Sequence, residues 1–281
     1  MTASSLGGRI DSHHHLWSLA RGDYGWLTPE FDVLFKDFLP IDLENIIQKT
    51  AVKHTVLVQA APTLAETRYL LSLAEESSSI AAVVGWVDME ASEAVSQISD
   101  LSRHAKFRGI RPMIQNIPDP NWMLKPELGP AFRALERLDL SFDALISTIH
   151  IGNLLEIAQR YPALRMVINH AAKPNIAGGV FSDWAKVMKK ISESTNVYCK
   201  ISGLLTEAEP GATVQSLKPW VDHLIECFGA ERLMWGSDWP VLNLASNYKR
   251  WAEMSDVLFA ELSGAEQNSI YGETACAFYK I

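Results

Sequence analysis

Cysteine is scarce in this sequence, and its three copies lie far apart. The 281 residues contain only Cys199, Cys227 and Cys276, and no two of them form a C-x-x-C pair. An odd number of scattered cysteines fits neither a disulfide framework nor a cysteine-based zinc site. We therefore expect reduced thiols, which are typical of a cytoplasmic protein.

Positive charge and long apolar runs are also lacking. The 33 acidic residues outnumber the 25 lysines and arginines, and the net charge of −8 offers little to a nucleic-acid backbone. The longest apolar run, at residues 80–87, is far shorter than the roughly 20 residues of a membrane-spanning helix. The first ten residues show no signal-peptide pattern. We expect a soluble, cytoplasmic protein whose partner is a small molecule, with no nucleic acid and no membrane.

Short apolar, β-branched runs recur along the chain with amphipathic stretches between them. Eight such runs begin at Arg9, His54, Ala81, Phe107, Leu140, Arg165, Asn196 and Arg232. From the second onward their starts are 25 to 36 residues apart, close to the length of a βαβ unit. Eight nearly continuous apolar strands that alternate with helices need both faces covered, which favours a closed parallel sheet. The sequence predicts an α/β fold, a (β/α)8 TIM barrel, with residues 1–281 as a single domain.

An open, doubly wound sheet is the alternative fold. No glycine-rich phosphate-binding motif follows any strand, which removes the commonest reason for that alternative. Thr63 with Glu66, and Ser263 with Glu266, predict capping boxes at two helix starts. The first crossover is unusually long, and residues 24–40 are predicted to form a loop over the barrel mouth.

Polar residues able to do chemistry follow several predicted strands. In a (β/α)8 barrel the active site lies at the carboxyl ends of the strands. His13 and His15 are two residues apart at the end of the first strand, so both imidazoles point to one side. His170 ends the sixth strand and Asp238 the eighth. These four residues predict a catalytic or metal site, although each alone also fits a hydrogen-bonded core residue.

Further candidates lie near the same ends. Arg111 and Lys173 could polarise a substrate carbonyl. Equally, Arg111 could form a structural salt bridge, and Lys173 could be a solvated charge in a loop. Trp26 is a candidate stacking surface for substrate. Lys200 and Ser202, on the seventh strand, are predicted to pair with each other inside the barrel.

Eight segments in order along the chain carry a family resemblance. They are IDSHHHLW at 10–17, YGWL at 24–27, GWVD at 85–88, FRGIRPMIQNIPDPNWM at 107–123, INHAAKP at 168–174, YCKISGLLTEA at 198–208, RLMWGSDWPV at 232–241 and GETACAFY at 272–279. Together they resemble the amidohydrolase superfamily, and within it the amidohydrolase-related branch of sugar-lactone and pyrone-dicarboxylate lactonases.

The resemblance implies a distorted (β/α)8 barrel and assigns roles within it. Asp238 would be the base that activates water, with His170 beside it as a second catalytic residue. Trp26, Arg111, His150 and Lys173 would face the substrate. The two-metal members of the superfamily have a bridging lysine on strand four, where this chain has Arg111. At most one divalent ion, zinc before others, is therefore expected on His13, His15, His170 and Asp238, and the branch includes lactonases that do not strictly need a metal.

Two local departures concern the substrate. Many relatives have Gln-Asp-Glu after strand four, where this chain has Gln115, Asn116 and Ile117. An Asp-His pair is common on strand six, where this chain has Asn169 and His170.

The resulting functional hypothesis is hydrolysis of an aldonolactone, with deoxy-sugar lactones such as L-fucono- or L-rhamnonolactone favoured because a methyl group suits a tryptophan face. A metal-dependent decarboxylase of an aromatic or enol acid and a pyrone-dicarboxylate lactonase are the enzyme alternatives. A sugar-acid binding module is the alternative without catalysis. A serine hydrolase is disfavoured because GSDWP does not match G-x-S-x-G.

Overall fold

Eight parallel strands form one sheet in the computed structural model, which describes residues 8–281. Each strand pairs with the next in chain order. The strands are β1 (Arg9–His14), β2 (Val52–Val58), β3 (Ile80–Gly85), β4 (Phe107–Ile110), β5 (Ser141–Ala144), β6 (Arg165–Ile168), β7 (Tyr198–Ile201) and β8 (Leu233–Trp235). Because the order is unbroken, every crossover runs to a neighbouring strand, as in a (β/α)8 barrel.

Backbone hydrogen bonds between the ends of β8 and β1 bring the two edges of the sheet together. The N–H of Asp238 donates to the carbonyl oxygen of His13 at 2.7 Å, and the N–H of His15 donates to that of Trp239 at 2.7 Å. These bonds confirm the predicted barrel. They also place Asp238 directly beside the two histidines.

The helices cover the outside of the barrel. They are α1 (Pro40–Ile47), α2 (Leu64–Glu76), α3 (Ala94–Leu101), α4 (Gly129–Arg137), α5 (Ile151–Arg160), α6 (Phe181–Ser194), α7 (Val214–Phe228), α8 (Tyr248–Leu258), α9 (Gly264–Asn268) and α10 (Thr274–Tyr279). Most present one apolar stripe to the strands, as in α4, whose Phe132 and Leu135 are buried. No helix within the described residues combines the length and apolar character that crossing a bilayer requires.

Both predicted helix starts are confirmed, one of them with a difference. The box at Ser263 and Glu266 forms in full. At α2 only half of the box forms: the Thr63 hydroxyl accepts from the N–H of Glu66, but the Glu66 carboxyl accepts from Ala60 instead of returning to Thr63. The α7 helix begins at Val214, where Thr213 and Ser216 cap it, and Pro219 lies inside its second turn.

The long first crossover packs into the mouth of the barrel. Trp17 is fully buried, and its indole N–H donates to the carbonyl oxygen of Lys36 at 2.8 Å. The Trp17 ring meets Trp26 and Phe38 edge to face, with centroids 5.5 Å and 5.2 Å away. This aromatic packing holds the crossover over the carboxyl ends of the strands, where the candidate residues lie.

Candidate active site

Three imidazoles surround one carboxylate oxygen at the mouth of the barrel. The Nε2 atoms of His13, His15 and His170 lie 3.7, 3.3 and 3.7 Å from Oδ1 of Asp238. All four side chains are buried. His14 points away and approaches Thr55 at 2.9 Å, as strand alternation predicts. The structure therefore brings together the four residues that the sequence analysis placed in the core of the site.

The tautomer of His15 is determined by its neighbour on β2. Its Nδ1 lies 2.8 Å from the carbonyl oxygen of Val58, which can only accept, so Nδ1 carries the proton. Burial lowers the pKa of His15, which keeps the ring neutral and leaves a lone pair on Nε2. That lone pair faces the carboxylate of Asp238. Two acceptors this close need a proton or a cation between them.

Asp238 is held as a carboxylate. Burial acts to raise its pKa, but a proton held on His170 or His15 and the nearby Lys173 ammonium outweigh that effect and lower it. Its backbone lies in the left-handed region, with φ of 58°. This conformation turns the side chain from the end of β8 toward the three imidazoles.

His170 stands on a left-handed turn that directly follows β6. The φ angles of residues 170–173 are all close to 50°, a conformation that costs ordinary residues free energy. The Nδ1 atom of His170 lies 2.9 Å from the Ser202 hydroxyl. Gly203 passes close to the ring, where a Cβ atom would come within 2.6 Å of Nδ1. The turn and its neighbours fix the ring against Asp238.

A buried ion pair lies behind His13. The Lys200 ammonium donates to Oδ2 of Asp143 at 2.8 Å, and neither side chain is accessible to solvent. The same Nζ atom lies 3.3 Å from Nδ1 of His13. Burial lowers the pKa of Lys200, and Asp143 opposes that shift. The predicted pairing of Lys200 with Ser202 is wrong, because Lys200 reaches Asp143 on β5 while Ser202 serves His170.

Arg111 is buried beside His13. One Nη atom donates to the backbone and side-chain oxygens of Gln59, and the other lies 3.4 Å from Nε2 of His13. Burial lowers the pKa of Arg111 to about 10, so the guanidinium stays charged at neutral pH. Arg111 forms no direct salt bridge among the described residues, which was the alternative prediction. Its side chain instead contacts the amide and the carbonyl oxygen of Gln59 and the imidazole of His13.

A cavity of about 350 Å³ opens over these residues. Its catalytic end is formed by His15, Arg111, His170 and Asp238. The other lining residues are Trp26, Phe31, Ala60, Met113, Gln115, Asn116, Leu145, Lys173, Thr206, Glu207, Val241 and Leu244. The wall is thus largely apolar with a few polar groups, as in most small-molecule sites.

Besides Arg111, two predicted substrate contacts line this cavity. The Trp26 indole N–H donates to the carbonyl oxygen of Ala60 at 2.7 Å, which holds the ring at the rim. Lys173 forms an ion pair with Glu207 at 2.5 Å. The lysine therefore reaches the cavity as part of a pair of charges and not as a lone cation.

The structure does not bring His150 to the cavity. Its Nδ1 atom accepts from the N–H of Ser147 at 3.2 Å, so the imidazole closes the turn that precedes α5. His150 lies six residues past the end of β5, as the sequence indicated, but its ring is not among the residues that line the cavity. We leave His150 out of the proposed substrate contacts.

Several site residues were not identified from the sequence. Gln115 lines the cavity, and its Oε1 is buried without a hydrogen-bond partner in the part of the chain that the structure describes. Asp143 is a charged residue inside an apolar strand, a signal that could have revealed it. Asp11 accepts from the Ser237 hydroxyl and N–H and from Tyr248, and burial raises its pKa to about 6. This cluster ties β1 to the segment that carries Asp238.

The donor atoms fit a single divalent ion by position. His13, His15 and Asp238 each offer one ligand atom, and these atoms lie within 4.8 Å of one another. His15 also fits by chemistry, because its Nδ1–H is held by a carbonyl and its Nε2 is free to bind. His13 fits less well, because its Nδ1 faces an ammonium instead of an acceptor.

The comparisons with known proteins agree with this geometry. The family model described as "Amidohydrolase" matches residues 10–281. An L-fucono-1,5-lactonase from Burkholderia ambifaria is 44% identical over 277 residues, which cover 97% of this chain and 96% of that protein. An L-fucono-1,5-lactonase from Burkholderia multivorans is 31% identical over 291 residues, covering 97% and 96%.

A solved structure agrees in fold. The crystal structure of a Burkholderia multivorans amidohydrolase with bound zinc is 31% identical and has a TM-score of 0.92, covering 97% of this chain and 99% of that chain. With the match to the family model over nearly its whole length, this chain belongs to the amidohydrolase family.

Proposed function

We propose that this protein is a sugar-lactone hydrolase whose preferred substrate is L-fucono-1,5-lactone or a closely related deoxy-aldonolactone. The observation that carries the proposal is the Asp238 carboxylate, which is surrounded by neutral imidazoles at the base of a cavity of about 350 Å³. The two L-fucono-1,5-lactonases described above support the choice of substrate.

Asp238 and His15 provide the general base. Water that attacks the lactone carbonyl must lose a proton, and Asp238 Oδ1 faces the cavity as the acceptor. The proton then lies between Oδ1 and Nε2 of His15, which are 3.3 Å apart. The same proton can be returned to the ring oxygen when the carbon–oxygen bond breaks. Asp238 Oδ1 and His15 Nε2, which are both acceptors before the reaction, are thus joined by a hydrogen bond once the proton has been transferred.

Positive charge stabilises the developing oxyanion. The guanidinium of Arg111 is fixed by Gln59 and lines the cavity. A fixed cation needs no reorganisation as negative charge develops on the carbonyl oxygen. His170, on the far side of Asp238, completes the polar enclosure of the reacting centre and orients the water.

We propose that His13, His15 and Asp238 can bind one divalent ion, with zinc the preferred metal. His170 would lie close to the ion. Such an ion would polarise the carbonyl and lower the pKa of a bound water. The zinc in the Burkholderia multivorans amidohydrolase supports a metal site of this kind. Asp238 with His15 already supplies a general base, and Arg111 already supplies a cation. We therefore propose that the ion is dispensable for turnover.

The cavity wall suits a deoxy-sugar lactone. Trp26 and Phe31 lie together at the rim with ring centroids 6.3 Å apart, and Leu145 and Leu244 also line the wall. These apolar surfaces can pack against the substrate methyl group, while Gln115 and the Lys173–Glu207 pair can bind hydroxyls. The three free cysteines fit a reducing compartment, so we propose that the enzyme acts in the cytoplasm.

A lactone panel with a pH indicator tests this function. The panel contains L-fucono-1,5-lactone, an L-rhamnonolactone and a pyrone dicarboxylate, each assayed with and without a chelator. Fresh 1,5-lactone is needed because it also hydrolyses without enzyme. We expect the fastest turnover with L-fucono-1,5-lactone, with the proton release retained in chelator. Activity confined to the pyrone dicarboxylate, or carbon dioxide release from an aromatic acid, would contradict the proposal.

A further inference from the structure

The lactonase mechanism gives no role to the ammonium of Lys200. It lies behind His13, on the side away from the cavity, and is fully buried. Its charge is balanced by Asp143, whose two oxygens also accept from the hydroxyls of Tyr279 at 2.6 Å and Ser141 at 2.9 Å. The Asn169 amide is a further donor to Asp143 at 3.5 Å, and Lys200 is the cation among these four donors.

This placement acts on the metal-binding form of His13. A neutral histidine that binds a cation through Nε2 carries its proton on Nδ1. In ordinary metal sites that N–H donates to a carbonyl or carboxylate, which strengthens the ligand. His15 follows this rule through Val58 at 2.8 Å. The Nδ1–H of His13 would instead point at the Lys200 ammonium 3.3 Å away, which has only hydrogens to offer.

The opposite side of the His13 ring is also occupied by a cation. Arg111 Nη1 lies 3.4 Å from Nε2, the atom through which His13 would bind a metal. A divalent ion at Nε2 would therefore meet a guanidinium beside it and an ammonium behind the ligand. Both charges are buried, where they are weakly screened.

From this geometry we infer that Lys200 is a positioning residue that weakens zinc binding at His13, so that the His13, His15 and Asp238 site works in its metal-free form. The ammonium raises the free energy of the metal-bound form of His13. The metal-free His13 ring stays neutral beside Asp238. This role rests on the part of the proposed function in which His13, His15 and Asp238 can hold one divalent ion. Zinc binding to that site is measured without substrate. A failure here is therefore distinct from a failure of lactone turnover.

Zinc affinity of metal-free protein tests the role, measured at pH 7 by competition with a chromogenic chelator. The first variant is Lys200→Gln, whose amide can still bond Asp143 and whose oxygen can accept from His13. The second is the double variant Lys200→Met with Asp143→Asn, which removes both charges together. Tyr279→Phe is the matched control, because it removes a donor to Asp143 without touching the contact between Lys200 and His13. Near-ultraviolet circular dichroism confirms the fold.

We expect zinc to bind about tenfold or more tightly in either folded Lys200 variant and to change by less than about twofold in Tyr279→Phe. Adding His13→Ala to a Lys200 variant should abolish the gain. Unchanged or weaker affinity in the folded variants overturns the role, as does a gain that survives removal of His13. A gain caused by misfolding would come from other exposed histidines or cysteines and would survive the removal of His13, so the His13→Ala comparison identifies it.

A second measurement keeps Lys200 in place. With Lys200 unaltered, the single variant His13→Ala should lower zinc affinity by less than about threefold, because His13 is already a poor ligand. The single variant His15→Ala should lower it by about tenfold or more. Equal losses in the two variants would show that His13 binds zinc as well as His15 does, which overturns the inference.

Discussion

At the scale of single residues, the backbone of Asp238 makes a clean test of the base possible. Its φ of 58° lies in the left-handed region, where Asn and Asp are the best tolerated of the non-glycine residues. Asp238→Asn should therefore fold while losing the proton acceptor. We expect kcat for lactone hydrolysis to fall by about 100-fold or more.

The control for this change is Asp222→Asn on the exposed face of α7, which should leave the rate unaltered. Both rates are read from proton release in weakly buffered indicator. A kcat near that of the unaltered enzyme in Asp238→Asn would remove this residue from the role of base.

Gln115 makes a second prediction about a single side chain. Its Oε1 is buried at the cavity with no partner among the described residues, so a substrate hydroxyl can satisfy it. Gln115→Ala should raise KM by about tenfold, with a smaller effect on kcat, because the lost hydrogen bond serves binding more than chemistry. The exposed Gln48→Ala is the control. A large fall in kcat with KM unchanged would instead assign Gln115 to the transition state.

At the scale of elements, Glu66 connects α2 to the cavity rim. Its Oε1 accepts from the N–H of Ala60, and the carbonyl of Ala60 accepts from Trp26. Burial raises the pKa of Glu66 to about 8, far above the ordinary value of 4.5. At neutral pH the folded protein thus keeps a proton here that the unfolded chain has released.

The sign of the pH dependence follows from this difference. The unfolded state binds fewer protons between pH 4.5 and 8, so the free energy of unfolding falls as pH rises through that window. In Glu66→Gln, whose amide resembles the protonated acid, this part of the pH dependence should vanish. Relative to the variant, the unaltered protein should lose on the order of 1 to 3 kcal/mol between pH 5.5 and 8.

Urea denaturation at several pH values measures this effect. Glu76→Gln, an exposed position at the other end of α2, serves as the control and should keep the full pH dependence. If Glu66→Gln and the unaltered protein lose stability in parallel as pH rises, then Glu66 is ionised in the folded state.

At the scale of the whole molecule, the number of metal ions per chain can be tested. One cluster of His13, His15 and Asp238 could hold an ion among the residues the structure describes. Arg111, which follows β4, is a buried cation beside His13 and offers no ligand for a second ion. Protein purified from zinc-supplemented culture should contain at most one transition metal per chain by elemental analysis. Two ions per chain would mean that the site has been misassigned.

The linear order of the chain accounts for the parts of the architecture that the sequence predicted. Eight apolar segments at βαβ spacing specify a barrel because each strand must bury both faces, and the paired β1 to β8 order confirms this. The same logic locates His13, His15, His170 and Asp238, since strand ends meet at one edge of a parallel barrel. Alternation along β1 also predicted correctly that His14 points away.

Only the tertiary structure decided which polar groups face one another across the barrel. Lys200 and Asp143 lie on strands separated by β6, and a strand pattern does not specify which interior charge meets which, so the prediction that Lys200 pairs with Ser202 failed. His150 lies near a strand end in sequence, but its imidazole bonds the backbone of a local turn and is not among the residues that line the cavity. Periodicity along one strand fixes the side on which a residue lies, whereas contacts between side chains depend on the register and twist of all eight strands together.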